Sequence, residues 1–179
     1  MKNISRSILL LVALVVAFGA NATAVRAQDA AAKKTKSPSA AVLEAWNDVG
    51  TRLITMAQDW PEDKYTYKLT SDVRTFQQVL LHVAGSNYDL LNHVAGTKVG
   101  NAENDPPIAN YKTKAQTLEY LKKSVTDGAA LIQKEGDAGV LAHLDYWIGY
   151  TEHMGEHYGL LVAYYRANNQ VPPESRPKK

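Results

Sequence analysis

From Pro38 onward, apolar side chains return every three or four positions, and no stretch alternates apolar with polar as a half-buried strand does. Val42, Leu43, Trp46, Val49, Leu53, Ile54 and Ala57 trace the first stripe, which Trp60-Pro61 closes. Ser37 or Ser39 can cap it, and Pro38 suits a first helical turn. Asp72 is placed to cap a second helix carried by Phe76, Val79, Leu80, Val83, Asn87, Leu90, Leu91 and Val94, with Gly96 at its stop. Thr113 can cap a third through Leu118, Leu121, Val125, Leu131 and Ile132. Gly136-Asp137 marks the turn and cap before a fourth helix, roughly 138–168, and Pro172-Pro173 stops it. Residues 97–113, with Asn104-Asp105-Pro106-Pro107, read as a long connection. Four helices of about 18–30 residues predict an all-α fold, a four-helix bundle with one long crossover loop. The bundle spans 38–173, and 174–179 form a basic tail.

The N-terminus is an address rather than part of the bundle. Lys2 and Arg6 precede an apolar run from Ile8 to Phe18, and small residues follow at Gly19, Ala20, Ala22, Ala24 and Ala27. That order is a secretory signal peptide, 1–27, with cleavage expected after Ala27. The run is short for a membrane span, which needs about 20 residues, so no stable span is expected after cleavage. Residues 28–37 are Ala- and Lys-rich and read as a flexible leader. The expected location is outside the cytoplasm, in a bacterial periplasm. The whole chain carries 20 Lys and Arg against 18 Asp and Glu, but three of the basic residues lie in 1–27. The mature chain is therefore close to neutral, and no basic stripe interleaved with aromatics remains to suggest nucleic-acid binding. With no Cys anywhere, disulfides, thiol nucleophiles and Cys-ligated metals are excluded.

Five His carry the chemistry: His82, His93, His143, His153 and His157. His153 and His157 stand at i and i+4, on one face of a helix, where two imidazoles can chelate one ion. They extend a stripe of Tyr146, Tyr150, His153, His157, Leu160 and Tyr164, which the spacing turns toward the interior. Two adjacent buried imidazoles need partners. A metal is one solution; hydrogen bonds or water are the other. The residues between them are Met154, Gly155 and Glu156, so the Glu stands in the wrong place for an H-E-x-x-H protease. His82 and His93 are eleven residues apart on one face, separated by about 16 Å along the axis, so they cannot share an ion. His93 sits in the last turn before Gly96, where the helix dipole favours it. His82 is mid-helix, the better place for a buried ligand. His143, ten residues before His153, reads as structural or exposed.

The stretch Leu81-His82-Val83-Ala84-Gly85-Ser86-Asn87-Tyr88, then His153-Met154-Gly155-Glu156-His157-Tyr158-Gly159-Leu160-Leu161, then Tyr164 to Asn168 and Val171-Pro172-Pro173, resembles the DinB-like (DinB/YfiT-like) superfamily of metalloenzymes. The likeness runs from about Trp46 to Pro173. It implies a four-helix bundle holding one divalent metal through three His, here His82, His153 and His157, with open positions for water or substrate. Leu160 departs from the family pattern, which often has Gln there, so a polar neighbour of the site is missing. Imidazole suits Zn, Ni and Fe; zinc is the default by ligand type, and Mn stays open. Asn87, Tyr150 and Glu156 are the expected neighbours of the ligands.

Relatives that use low-molecular-weight thiols imply transferase chemistry, whereas export argues for another nucleophile such as water. The function expected is a metal-dependent hydrolase or transferase acting on an unidentified small molecule. The alternative is a non-catalytic metal-binding or structural bundle of the cell envelope. Tyr158, Tyr164 and Tyr165 offer apolar surface for a homodimer.

Overall fold

Three of the four long helices begin on a side-chain cap that the sequence supplies. The structure, a computed structural model, describes residues 35–177. The signal segment 1–27, the leader up to residue 34, and Lys178 and Lys179 lie outside the described residues. Helix α1, Pro38–Asp59, is capped by Ser37, whose hydroxyl accepts from the Ala40 N–H (3.3 Å). It ends at Trp60, whose extended backbone precedes Pro61. Helix α2, Phe76–Ala95, and helix α3, Lys114–Ala142, both open on full capping boxes, Thr75 with Gln78 and Thr113 with Gln116. Gly96 stops α2 in the left-handed conformation at φ 63°. Helix α4 runs Leu144–Ala167. Among the described residues there is no strand, and no helix is long and apolar enough to cross a membrane.

Two local expectations need correction. Asp72 does not cap α2; it accepts from the Thr70 hydroxyl (2.6 Å) inside its own loop, and Thr75 takes the role. The fourth helix is not continuous over 138–168. Gly136 turns the chain at φ 61° and ψ −168°, helix resumes to Ala142, and non-helical His143 breaks it again before Leu144. The Asp137 carboxylate reaches across instead to α1, accepting from the Ser39 N–H (3.0 Å) and hydroxyl (2.5 Å). It thereby satisfies a free donor of the first turn of α1.

Side-chain pairs fix the directions of the helices. Trp46 Nε1 donates to Val125 O and Lys114 Nζ to Gln58 O, so α1 and α3 are antiparallel. Gln77 Nε2 donates to Thr117 Oγ1 and the Tyr88 hydroxyl to Asp127, so α2 and α3 are parallel. Tyr164 OH donates to Arg74 O while Tyr150 OH donates to Asp89, which makes α2 and α4 antiparallel. Two parallel helices consecutive in the chain cannot be joined by a tight turn, so residues 97–113 return along the length of α2.

That crossover is pinned at intervals as it goes. Asn92 Oδ1 accepts from the Val99 and Gly100 N–H groups, and Tyr120 OH donates to Asn101 O. Gln77 Nε2 donates to Tyr111 O at the far end. The core beneath is aromatic. Trp46 meets Trp147 edge-on, and Trp60 stacks on Phe76 at 4.5 Å, all four fully buried. Each such side chain removed from water contributes about 1.5–3 kcal/mol.

Candidate metal centre

The buried stripe of α4 is Trp147, Met154, Leu161, Tyr164 and Tyr165. It leaves Tyr146 38% exposed, which corrects the inward stripe expected from the spacing. The seven-residue steps from Trp147 to Met154 to Leu161 define the true core line. His153 and His157 flank it, half-buried, on the side that faces α2. There they meet His82, about one and two-thirds turns into α2 from Phe76.

The three rings converge through their Nε2 atoms. His153 Nε2 lies 3.1 Å from His82 Nε2 and 3.1 Å from His157 Nε2. One nitrogen from each ring falls within 4.8 Å of the other two. His82 Nδ1 is 2.6 Å from Asn104 O, so it carries the proton and donates it to that carbonyl, which leaves Nε2 as a lone pair turned to the centre. The Nδ1 atoms of His153 and His157 are buried without a partner. Burial, and then the neighbouring His82, pull His153 below the ordinary histidine value. Burial, then His153 and His82, bring His157 down to about 4. Both rings are neutral at pH 7, as ligands must be.

Beside the triad opens a cleft of about 650 Å³, lined by His82, His153, Arg74, Asp105, Tyr146 and Tyr150. Arg74 and Asp105 form a two-pronged ion pair across it, Nε to Oδ1 at 2.7 Å and Nη2 to Oδ2 at 3.0 Å. The Arg74 guanidinium holds the Asp105 carboxyl below the usual carboxylate value.

A sequence profile described as the DinB superfamily matches residues 45–165, which include all three of these His. The chain belongs to the DinB superfamily. No curated protein matches it. A three-His cluster in a helical bundle of this superfamily is compatible with a divalent metal.

The remaining named residues fall around this centre in different ways. Tyr150, 6.3 Å from His153 between ring centroids, gives its hydroxyl proton to Asp89 (2.6 Å) and not to a His. Asn87 is fully buried toward α3 and donates to the Ser124 hydroxyl (3.1 Å). Glu156 is exposed and acts on His153 only through its charge. Leu160 is half-buried beside the Arg74–Asp105 pair. His93 stacks on Tyr146 at 4.1 Å, with His143 6.5 Å away, at the other end of the α2–α4 contact.

Sequence reasoning missed Arg74, Asp89, Asn104 and Asp105. Three of these lie outside any helix or act through the main chain, where periodicity says nothing. Asp89 lies on α2 about two turns beyond His82, and its partner is Tyr150 on the facing helix. The available signal was Asn104-Asp105-Pro106-Pro107, which combines turn residues with a rigid stop and so marks a loop of defined path.

Proposed function

We propose that the chain is a metal-dependent enzyme, a hydrolase or transferase, that holds one divalent ion on the Nε2 atoms of His82, His153 and His157. The convergence of three neutral imidazoles carries this reading. Each ring nitrogen has one in-plane site, a proton or a lone pair. His153 Nε2 faces two other Nε2 atoms at 3.1 Å, and hydrogen bonding can satisfy only one of those contacts. A cation satisfies both, and ordinary metal–nitrogen bonds of about 2.0–2.1 Å span nitrogens at that separation. Zinc is the metal proposed on ligand type, ahead of Ni, Fe and Mn.

Bound there, the ion supplies Lewis-acid chemistry at the floor of the cleft. The chain's own residues do the rest. Tyr150, its proton committed to Asp89, offers an oxygen that accepts a hydrogen bond from substrate. Arg74, engaged by Asp105 through Nε and Nη2, keeps Nη1 for an anionic group. The open cleft favours this reading over a non-catalytic metal-binding bundle, which needs no substrate-sized opening. Export through residues 1–27 belongs to the same proposal, as does pairing of two copies. The surface expected for pairing needs correction: Tyr164 and Tyr165 are fully buried in the core and Tyr158 is half-buried, so the apolar surface is that of Leu141 and Ile148, both more than half exposed.

Elemental analysis of protein purified without a His-tag or added metal tests the proposal. It should find about one equivalent of a divalent metal, lost in His153→Ala/His157→Ala, as a single set of three ligands requires. Metal-free protein that also fails to take up zinc would sink the reading. Metal without turnover of ester, amide, phosphoester or thiol-transfer substrates would favour the non-catalytic bundle.

A further inference from the structure

Of the three clustered rings, only His82 has an outer partner, and that partner belongs to the crossover. Three successive crossover residues are held against α2 and its N-terminal flank. At Gly85, one turn after His82, a Cβ would stand 1.8 Å from Glu103 O, so only glycine admits the chain at this depth. The next carbonyl, Asn104 O, is thereby brought to 2.6 Å from His82 Nδ1. The Asn104 side chain meets the Ser86 hydroxyl at 3.4 Å. The third residue, Asp105, is clamped by Arg74 and lies 3.7 Å from the same His82 nitrogen. A crossover that merely connected two helices would need none of this depth.

We propose that Glu103, Asn104 and Asp105, admitted by Gly85 and locked by Arg74, are positioning residues of the three-His site: they hold His82 with Nε2 forward, and ion binding and docking of this strap reinforce each other. An outer partner that fixes the tautomer and orientation of a ligating His strengthens the ligand. Linkage makes the effect mutual: whatever the strap adds to ion affinity, the ion returns to strap docking. The affinity part rests on the metal reading above; the orientation of His82 does not.

The test uses zinc alone as the probe, titrated against a chromophoric chelator. Nitrogen-15 spectra of the imidazoles in metal-free protein serve as the second readout. Gly85→Ala and Asp105→Ala should each weaken zinc binding about 10- to 100-fold, the usual effect of losing an outer-shell partner. Gly159→Ala, a helical glycine with open space around it, should leave affinity unchanged. Nitrogen-15 shifts should show His82 protonated at Nδ1 in the parent protein and a mixed or Nε2-protonated tautomer in both strap variants, a signature that a general loss of stability in a folded variant does not mimic. Hydrogen exchange of the amides of residues 101–105 should slow on adding zinc. Folded variants with parent affinity and an intact Nδ1 proton would overturn the inference while leaving the ligands standing. If the parent binds no zinc, the metal reading fails and the Nδ1 proton alone decides the strap. If Gly85→Ala does not fold, Asp105→Ala, at an exposed ion pair, gives the same readouts.

Discussion

A single methyl group reads out the packing at Gly128 and Gly159 in opposite directions. A Cβ at Gly128 would stand 2.3 Å from the Trp46 ring, which is fully buried and held by its hydrogen bond to Val125 O. The ring has no room to retreat, so Gly128→Ala should destabilise by about 1–3 kcal/mol, the range for overpacking. Gly159 lies in α4 with nothing within 4 Å, and Gly159→Ala should stabilise by about 0.4–1 kcal/mol through the unfolded chain. Urea unfolding of the two variants beside the parent checks both signs. At this scale the His triad was legible in the chain. The i, i+4 pair has one geometric meaning on a helix, and His82 falls mid-helix on a face that must meet a neighbour. Gly85 was not legible. A helical glycine carries no sign of what approaches it, and its use depends on the path of residues eighteen positions away.

Helix ends explain why some elements were read to the residue and others were not. Ser37, Gly96 and Thr113 are terminal signals with one helix to serve, and each serves it. Asp72 and Asp137 carry the same chemistry but bond elsewhere, one to its own loop and one to a different helix. Local sequence ranks capping residues; only the three-dimensional path chooses among them. Thr75 closes a box with Gln78, so Thr75→Ala should cost about 0.5–2 kcal/mol by freeing first-turn donors of α2. Asp72→Ala should cost less, because α2 keeps its cap. Gly136 supports a sharper expectation. Its backbone at φ 61° and ψ −168° is open to glycine alone, and nothing crowds it. Gly136→Ala should therefore lose about 1–3 kcal/mol from strain without any clash. Thermal unfolding of the three variants separates a cap effect from a strain effect.

Across the described residues, α1 is fastened to the rest of the bundle at both of its ends, and these contacts set the behaviour in acid. Arg176, beyond the last long helix, grips Asp59 at the end of α1 through Nη1 (2.8 Å) and Nη2 (2.6 Å). Tyr165 donates to the same carboxylate, and the Lys114 charge adds to the pull. The Arg176 hydrogen bond is the main reason that Asp59 sits below the ordinary value of 3.8, against the opposing effect of burial. At the other end of α1, Ser39 holds Asp137 low as well. Lowered folded values mean that the unfolded chain takes up protons first as pH falls. The stabilisation is therefore complete above the unfolded value and is lost progressively as pH drops through the folded ones. Free energies of unfolding measured from pH 6 downward should hold steady and then decline from about 4, the ordinary carboxylate range. Arg176→Gln should lower the plateau and flatten the decline, because Asp59 then titrates near its unfolded value. A decline of unchanged steepness in that variant would mean that other carboxylates govern acid unfolding. The helix count and the crossover were legible at this scale, since apolar periodicity and loop length survive any arrangement of the helices. The parallel pairing of α2 with α3, and the return of the C-terminal segment to α1, rest on contacts between distant residues, which no local pattern encodes.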